Sequence, residues 1–220
     1  MKLARPRAVI FDWDNTLVDS WAVIHHALST TFEALGEEPW TLAETRQRVR
    51  KSARDSFPEL FGPRAGEATE VFYRTYEADH LAQLNPLPGA EAMLQGLAEL
   101  PDLKLAVVSN KKGTLLRKEA LHLGWERHFV SLVGANDAEQ DKPAPEVVDF
   151  ALAGSGIAAG PGVWFVGDTD IDLVCAENSG CTAILLRPDA PAAMEFDGTA
   201  LDFHVPDCAG FSELVIQSLK

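Results

Sequence analysis

The chain is short of cysteine, of positive charge and of long apolar runs. Its three cysteines, Cys175, Cys181 and Cys208, cannot all pair, and no two have C-x-x-C spacing. That argues against a disulfide-built scaffold and against a zinc or redox site of that type; reduced thiols in a cytoplasmic protein are expected. No stretch of about 20 apolar residues occurs, as a membrane-spanning helix needs. The first apolar run meets Asp12 and Asp14 too soon for a signal-peptide core. A soluble, unexported protein is the expectation. Lys and Arg number 19 against 33 Asp and Glu, a formal net charge of −14. This balance disfavours nucleic acid and anionic membranes, whose binding relies on neutralising phosphates with cations. A Gly-rich nucleotide loop and an internal repeat are also missing; Gly154-Ser155-Gly156 reads as a helix end.

What remains is ordinary globular material. Apolar residues make up 46% of 220 and charged residues 24%, enough for one generous domain or a domain with an insert. Short continuous apolar runs predict buried strands at Ala8–Phe11, Leu103–Val108, Val163–Val166 and Thr182–Leu186. Weaker runs lie at Phe129–Val133 and Asp202–Val205. Helical patterns fall between them, at Ala90–Leu100, Leu115–Leu123, Pro145–Ala153 and Leu173–Gly180. The alternation predicts an α/β fold, a doubly wound parallel sheet. From Asp19 to Asn85 only helical periodicity is found, too long for one crossover. An all-helical cap subdomain over residues 19–85, inserted into a core of 1–18 and 86–220, is the economical reading. Arg187–Leu201 reads as a surface loop with a short helical turn.

Ligands of open α/β sheets bind beyond the carboxyl ends of the strands. There the sequence places Asp12-Trp13-Asp14-Asn15-Thr16, then Ser109-Asn110, and later Gly167-Asp168-Thr169-Asp170-Ile171-Asp172. Asp141-Lys142-Pro143 precedes a Pro-marked helix start. Singly, each is most readily a turn former or a helix cap. Together, carboxylates after two strands, a hydroxyl after a third and one lysine suit a hard cation plus a phosphate.

This set, in this order, resembles the haloacid dehalogenase-like hydrolase superfamily, in its phosphoglycolate phosphatase-like branch with a helical cap inserted after the first strand. The matching signatures are Asp12–Thr16, Ser109, Lys142-Pro143 and Gly167–Asp172; Asn15 stands where Gly is common. The resemblance implies a Rossmann-like core and hydrolysis of a small-molecule phosphate monoester, phosphoglycolate or another acidic or sugar phosphate. It implies Asp12 as nucleophile, forming an aspartyl-phosphate, and Asp14 as general acid and base. It implies Mg²⁺ held by Asp12, the backbone carbonyl of Asp14 and Asp168, with Asp172 acting through water or orienting Lys142. Ser109, the Asn110 backbone N–H and Lys142 would hold the phosphoryl oxygens. Thr16 would support the Asp12 loop, and Asp170 would face solvent. Asp14 separates this pattern from halide-displacing and phosphonate-cleaving members, which lack it, but not from phosphomutases. A phospho-accepting signalling domain shares the acid cluster, hydroxyl and lysine, yet is shorter and lacks the insert.

Five of the insert's seven cations fall within Arg46–Arg54. Read as a charge run they form a solvated helix face. Read functionally, some of Arg50, Lys51 and Arg54 would face the site and favour an acidic leaving group. His25 and His26 read as non-catalytic, Trp13 as packing or lining the cleft, and Trp21, Phe57 and Phe61 as helix core in preference to facing that cleft. The expected partner is a small phosphate ester, with the chain a monomer or weak dimer.

Overall fold

Alternate residues of each apolar run divide between two separate cores, and this division builds the sheet. Val9 and Phe11 pack on one face, while Ala8 and Ile10 pack on the other. Trp164 and Val166 against Val163 and Phe165 repeat the pattern, as the period-two geometry of a strand requires. In the computed structural model, which describes residues 4–196 and 198–219, these runs become the parallel strands of one sheet. Asp197, in the expected Arg187–Leu201 loop, and residues 1–3 and 220 of the expected core lie outside the described residues.

In chain order the strands are β1 (Ala8–Phe11), β2 (Val18–Asp19), β3 (Asn85–Pro86), β4 (Lys104–Lys112), β5 (Ser131–Ala135), β6 (Val163–Gly167), β7 (Thr182–Leu186) and β8 (Phe203–Val205). Six of them form the sheet in the order β5-β4-β1-β6-β7-β8. The helices are α1 (Trp21–Ala34), α2 (Leu42–Arg48), α3 (Ala53–Phe61), α4 (Ala65–Asp79), α5 (Ala90–Ala98), α6 (Gly113–Leu123), α7 (Glu146–Leu152), α8 (Asp170–Asn178) and α9 (Cys208–Ser218). Helices α5, α6 and α9 cover one face with Leu94, Leu116 and Phe211; α7 and α8 cover the other with Val148 and Leu173. Among the described residues, no helix is long and apolar enough to cross a membrane.

Helices α1–α4 gather around their own apolar cluster, in which Phe32, Phe57 and Phe61 meet, and which takes in Leu115 of α6. Two differences from the sequence reading concern the ends of this insert and of the chain. Expected to hold no strand, the insert is framed by the antiparallel pair β2–β3, with Val18 opposite Pro86 and Asp19 opposite Asn85. Two residues a side are too few to carry an alternation. Helix α9 was not read at all, although Asp207 caps it by accepting from the Gly210 N–H at 2.8 Å.

Strand β4 runs past its expected end, and its pairing with β5 shifts between Val108 and Lys112. Three residues, Ser109 to Lys111, bulge opposite Gly134. A Cβ on Gly134 would lie 2.4 Å from the Gly113 Cα and 2.5 Å from the Lys111 carbonyl oxygen. Neither backbone atom can yield cheaply. Gly134→Ala is therefore expected to cost about 1–3 kcal/mol of stability, read as a lower urea midpoint at unchanged m-value.

Candidate active site

Strands β1, β4 and β6 are neighbours, so the polar residues after each meet at one edge of the sheet. The Asp12 N–H donates to the Val166 carbonyl at 2.8 Å, which holds Asp12 against the end of β6. The chain then turns: Leu17 and Val18 N–H groups both donate to the Trp13 carbonyl, and Asn15 adopts φ of 64°. Asparagine tolerates this left-handed conformation better than most residues, so its place in the motif is conformational. Thr16, fully buried, donates through its hydroxyl to Asp168 Oδ1 at 3.5 Å.

Lys142 reaches into this edge from the loop after β5. Its Nζ donates to Asp12 Oδ1 and to Asp172 Oδ1, both at 2.7 Å. The other Asp172 oxygen accepts from the Thr169 N–H and hydroxyl in the first turn of α8, so both ends of that carboxylate are committed. Gly167 makes room for it. A Cβ there would lie 2.1 Å from the Asp172 carboxyl carbon.

Carboxylate oxygens of Asp12, Asp168 and Asp172 come within 4.8 Å of one another. Burial pushes the Asp12 carboxyl up to about 7, with Asp172 and Asp14 adding to the rise and Lys142 opposing it. Burial, then Asp172 and Asp12, push Asp168 well above the ordinary aspartate range. Burial alone would pull Lys142 down, but its two carboxylate partners hold it above the usual lysine value. One lysine thus faces three recessed carboxylates, an excess of negative charge in an all-oxygen donor set. That is the chemistry a hard divalent cation balances, and the residues fit one.

The haloacid dehalogenase-like hydrolase family matches residues 9–186, which span this whole arrangement. The chain belongs to that family. The phosphoglycolate phosphatase of Cereibacter sphaeroides is 32% identical over 182 residues, covering 78% of this chain and 81% of its own. That of Xanthomonas campestris is 31% identical over 183 residues, covering 81% and 82%. A haloacid dehalogenase-like family protein from Streptococcus pneumoniae has the same fold, with a TM-score of 0.81 over 98% of this chain and 99% of that one at 21% identity. This haloacid dehalogenase-like hydrolase is a phosphatase.

Ser109 and Asn110 of the phosphatase lie on the β4 bulge and line the same cavity as Asp12, Asp14, Lys142 and Asp168. The Ser109 hydroxyl accepts from the Lys111 N–H at 3.2 Å. The Asn110 side-chain amide donates to the Arg50 and Lys142 carbonyls, tying the insert to the Lys142 loop. The basic run divides. Arg50 and Lys51 line the cavity but are paired, Arg50 with Asp170 at 3.0 Å and Lys51 with Glu59 at 2.8 Å. Arg54 is bound at 2.6 Å to Asp141, a buried carboxylate, and is not among the cavity's lining residues. Of the three cations that the sequence offered to the site, the structure brings Arg50 and Lys51 to the cavity, each beside a carboxylate, and leaves Arg54 on Asp141. Trp21 and Phe57, read as helix core, line the cavity as well, whereas Trp13 is fully buried against Trp125.

A buried network beside Asp14 escaped the sequence reading. Lys111 Nζ forms an ion pair with Asp14 Oδ1 at 2.6 Å and a second with Glu119 of α6 at 2.5 Å. Glu119, wholly inaccessible, also accepts from the Trp13 indole at 2.7 Å and bonds His80 Nδ1 at 2.7 Å, with the Tyr76 hydroxyl at 3.4 Å. One carboxylate therefore joins core residues to the insert's last helix and the residue after it. A signal was present: Glu119 sits on the apolar stripe of Leu115, Leu116 and Ala120, where a charge needs a partner.

Burial pushes the Glu119 carboxyl up, but Lys111, His80 and Trp13 outweigh it and hold it below its ordinary value of 4.5. A lowered folded-state value means the stabilisation is complete above that ordinary value and fades as pH falls below it. Glu119→Ala takes one of its two carboxylates from buried Lys111 and leaves the Trp13 indole and His80 without their partner, and is expected to cost about 3–5 kcal/mol at pH 7. In urea titrations the gap between wild type and variant should narrow as the pH is lowered below 4.5.

Proposed function

We propose that this phosphatase is Mg²⁺-dependent and hydrolyses small phosphate monoesters through a phosphorylated Asp12. The observation that carries the reading is Lys142 clamped between Asp12 and Asp172, with Asp168 alongside. Asp12, Asp168 and the Asp14 carbonyl would hold the metal. When bound, Mg²⁺ supplies charge that screens the approach of one anion to another and supports the phosphoryl oxygens.

The chain's own residues then divide the work. An Asp12 carboxylate oxygen forms the bond to phosphorus as the ester P–O bond breaks. Asp14 gives a proton to the departing alkoxide. In the second half, Asp14 takes a proton from water as that water attacks phosphorus and returns the Asp12 carboxylate. Lys142 and the Ser109 hydroxyl hold the phosphoryl oxygens, and Asp172 keeps Lys142 aimed. Lys111, paired with Asp14, fixes where that carboxylate sits. The relatives named phosphoglycolate phosphatase put esters of acidic and sugar alcohols among the first substrates to try.

Phosphate release from p-nitrophenyl phosphate and from ethyl phosphate tests this directly. Asp12→Asn should lower kcat on both by a factor on the order of 10⁴ or more. Asp14→Asn should cost roughly 10²–10⁴ in steady-state kcat on both esters, which share the second half-reaction, while the first-turnover burst of p-nitrophenol survives because that leaving group needs no proton. Independently of activity, Mg²⁺ at about 100 times its Kd should raise the melting temperature by roughly 5–10 °C. EDTA should reverse the shift and Asp168→Asn should abolish it. Full activity in Asp12→Asn would overturn the mechanism.

A further inference from the structure

The cavity above the carboxylates holds about 140 Å³ and has two chemically distinct ends. Its floor at the sheet is polar, with Asp12, Asp168, Ser109 and Lys142. Its upper wall belongs to the insert and is apolar: Trp21, Ile24 and Leu28 from α1, Trp40 before α2, and Phe57 and Leu60 from α3. A phosphate on the floor directs the rest of its ester towards that wall.

Positive charge does line the cavity, but each cation already faces a carboxylate. Arg48 is 3.4 Å from Glu44, Arg50 is 3.0 Å from Asp170, and Lys51 is 2.8 Å from Glu59. Lys112 lies 4.0 Å from Glu77 and 4.6 Å from the centre of the Tyr73 ring. Lys111 and Lys142 are committed to the network and the floor. A second anionic group on the substrate would compete with these acids for the same cations, and so gains less from them than from unpaired ones. An apolar group would instead bury surface against aromatic and aliphatic side chains with nothing left unpaired.

Resting on the phosphatase reading above, we propose that the alcohol released by this enzyme is uncharged and apolar. The insert selects the substrate by hydrophobic burial, and glycolate, with its carboxylate, is a poor fit.

A series of n-alkyl phosphates from ethyl to hexyl isolates the effect, because the leaving alcohols have nearly the same acidity and only the buried chain grows. With Mg²⁺ and the full chain, kcat/KM should rise about fourfold per added methylene until the cavity is filled. 2-Phosphoglycolate should be turned over at least tenfold less efficiently than hexyl phosphate. Leu60 is 38% exposed, so Leu60→Asp can be made without opening the core. It should reduce the hexyl-to-ethyl ratio at least threefold. A flat or falling chain-length profile, a preference for 2-phosphoglycolate, or an unchanged ratio in Leu60→Asp overturns the proposal. Failure of the underlying reading looks different: no phosphate release from any ester, p-nitrophenyl phosphate included, removes both.

Discussion

A single buried ammonium between two aspartates organises this protein's working edge. Lys142 is 2% exposed and bonds Asp12 and Asp172 at 2.7 Å each. Removing Lys142 would leave two buried carboxylates without their cation, a penalty of several kcal/mol. The surrounding structure serves that arrangement. Gly167 is side-chain-free so that Asp172 can lie against the strand, and α8 begins where Thr169 can hold the second Asp172 oxygen. Even so the balance is incomplete, since Asp168 adds a carboxylate without adding a cation. The fold thus maintains a local deficit of positive charge beside a lysine, in a form a divalent ion and a phosphate can fill together.

A second charged cluster begins only two residues along the chain from Asp12. Asp14 is tied through Lys111 to Glu119, and Glu119 to Tyr76 and His80 of the insert. The acid–base residue and the insert therefore share one buried carboxylate. Any change in how the insert sits must be felt at Lys111, because Glu119 has no water to substitute for a lost partner. Above this network the insert changes character, and its aromatic residues face the cavity. The chain's net charge of −14 is consistent with that division. Cations are few, and those near the site are spent on local pairs rather than held open for an anionic leaving group.

The sheet was legible because its strands are continuous apolar runs buried on both faces, where alternation and run length agree. The floor of the site was legible for a related reason. Asp12 and Asp168 come directly after a strand and Ser109 directly after the apolar run of β4, and sequence position there is nearly spatial position. Lys142 stood out as the one lysine before a Pro-marked helix start, but its role came from the family resemblance, since nothing in a loop lysine says where it reaches. The network around Glu119 was missed because its members come from β4, α4, α6 and the Asp12 turn, and only the tertiary fold brings them together. The partners of the basic run were hidden for the same reason: Asp141 and Asp170, which pair Arg54 and Arg50, come from distant segments. Charge runs show where cations are, not what neutralises them.

The central claim is that Asp12, held by Lys142, becomes covalently phosphorylated during turnover. Acid-stable trapping tests it most directly: the enzyme is quenched with borohydride while hydrolysing an ester, digested and mapped by mass spectrometry. The account predicts that Asp12 is reduced to homoserine only when substrate and Mg²⁺ are both present. Turnover with Asp12 unmodified, or with the reduced residue found at Asp14 or Asp168 instead, would contradict it.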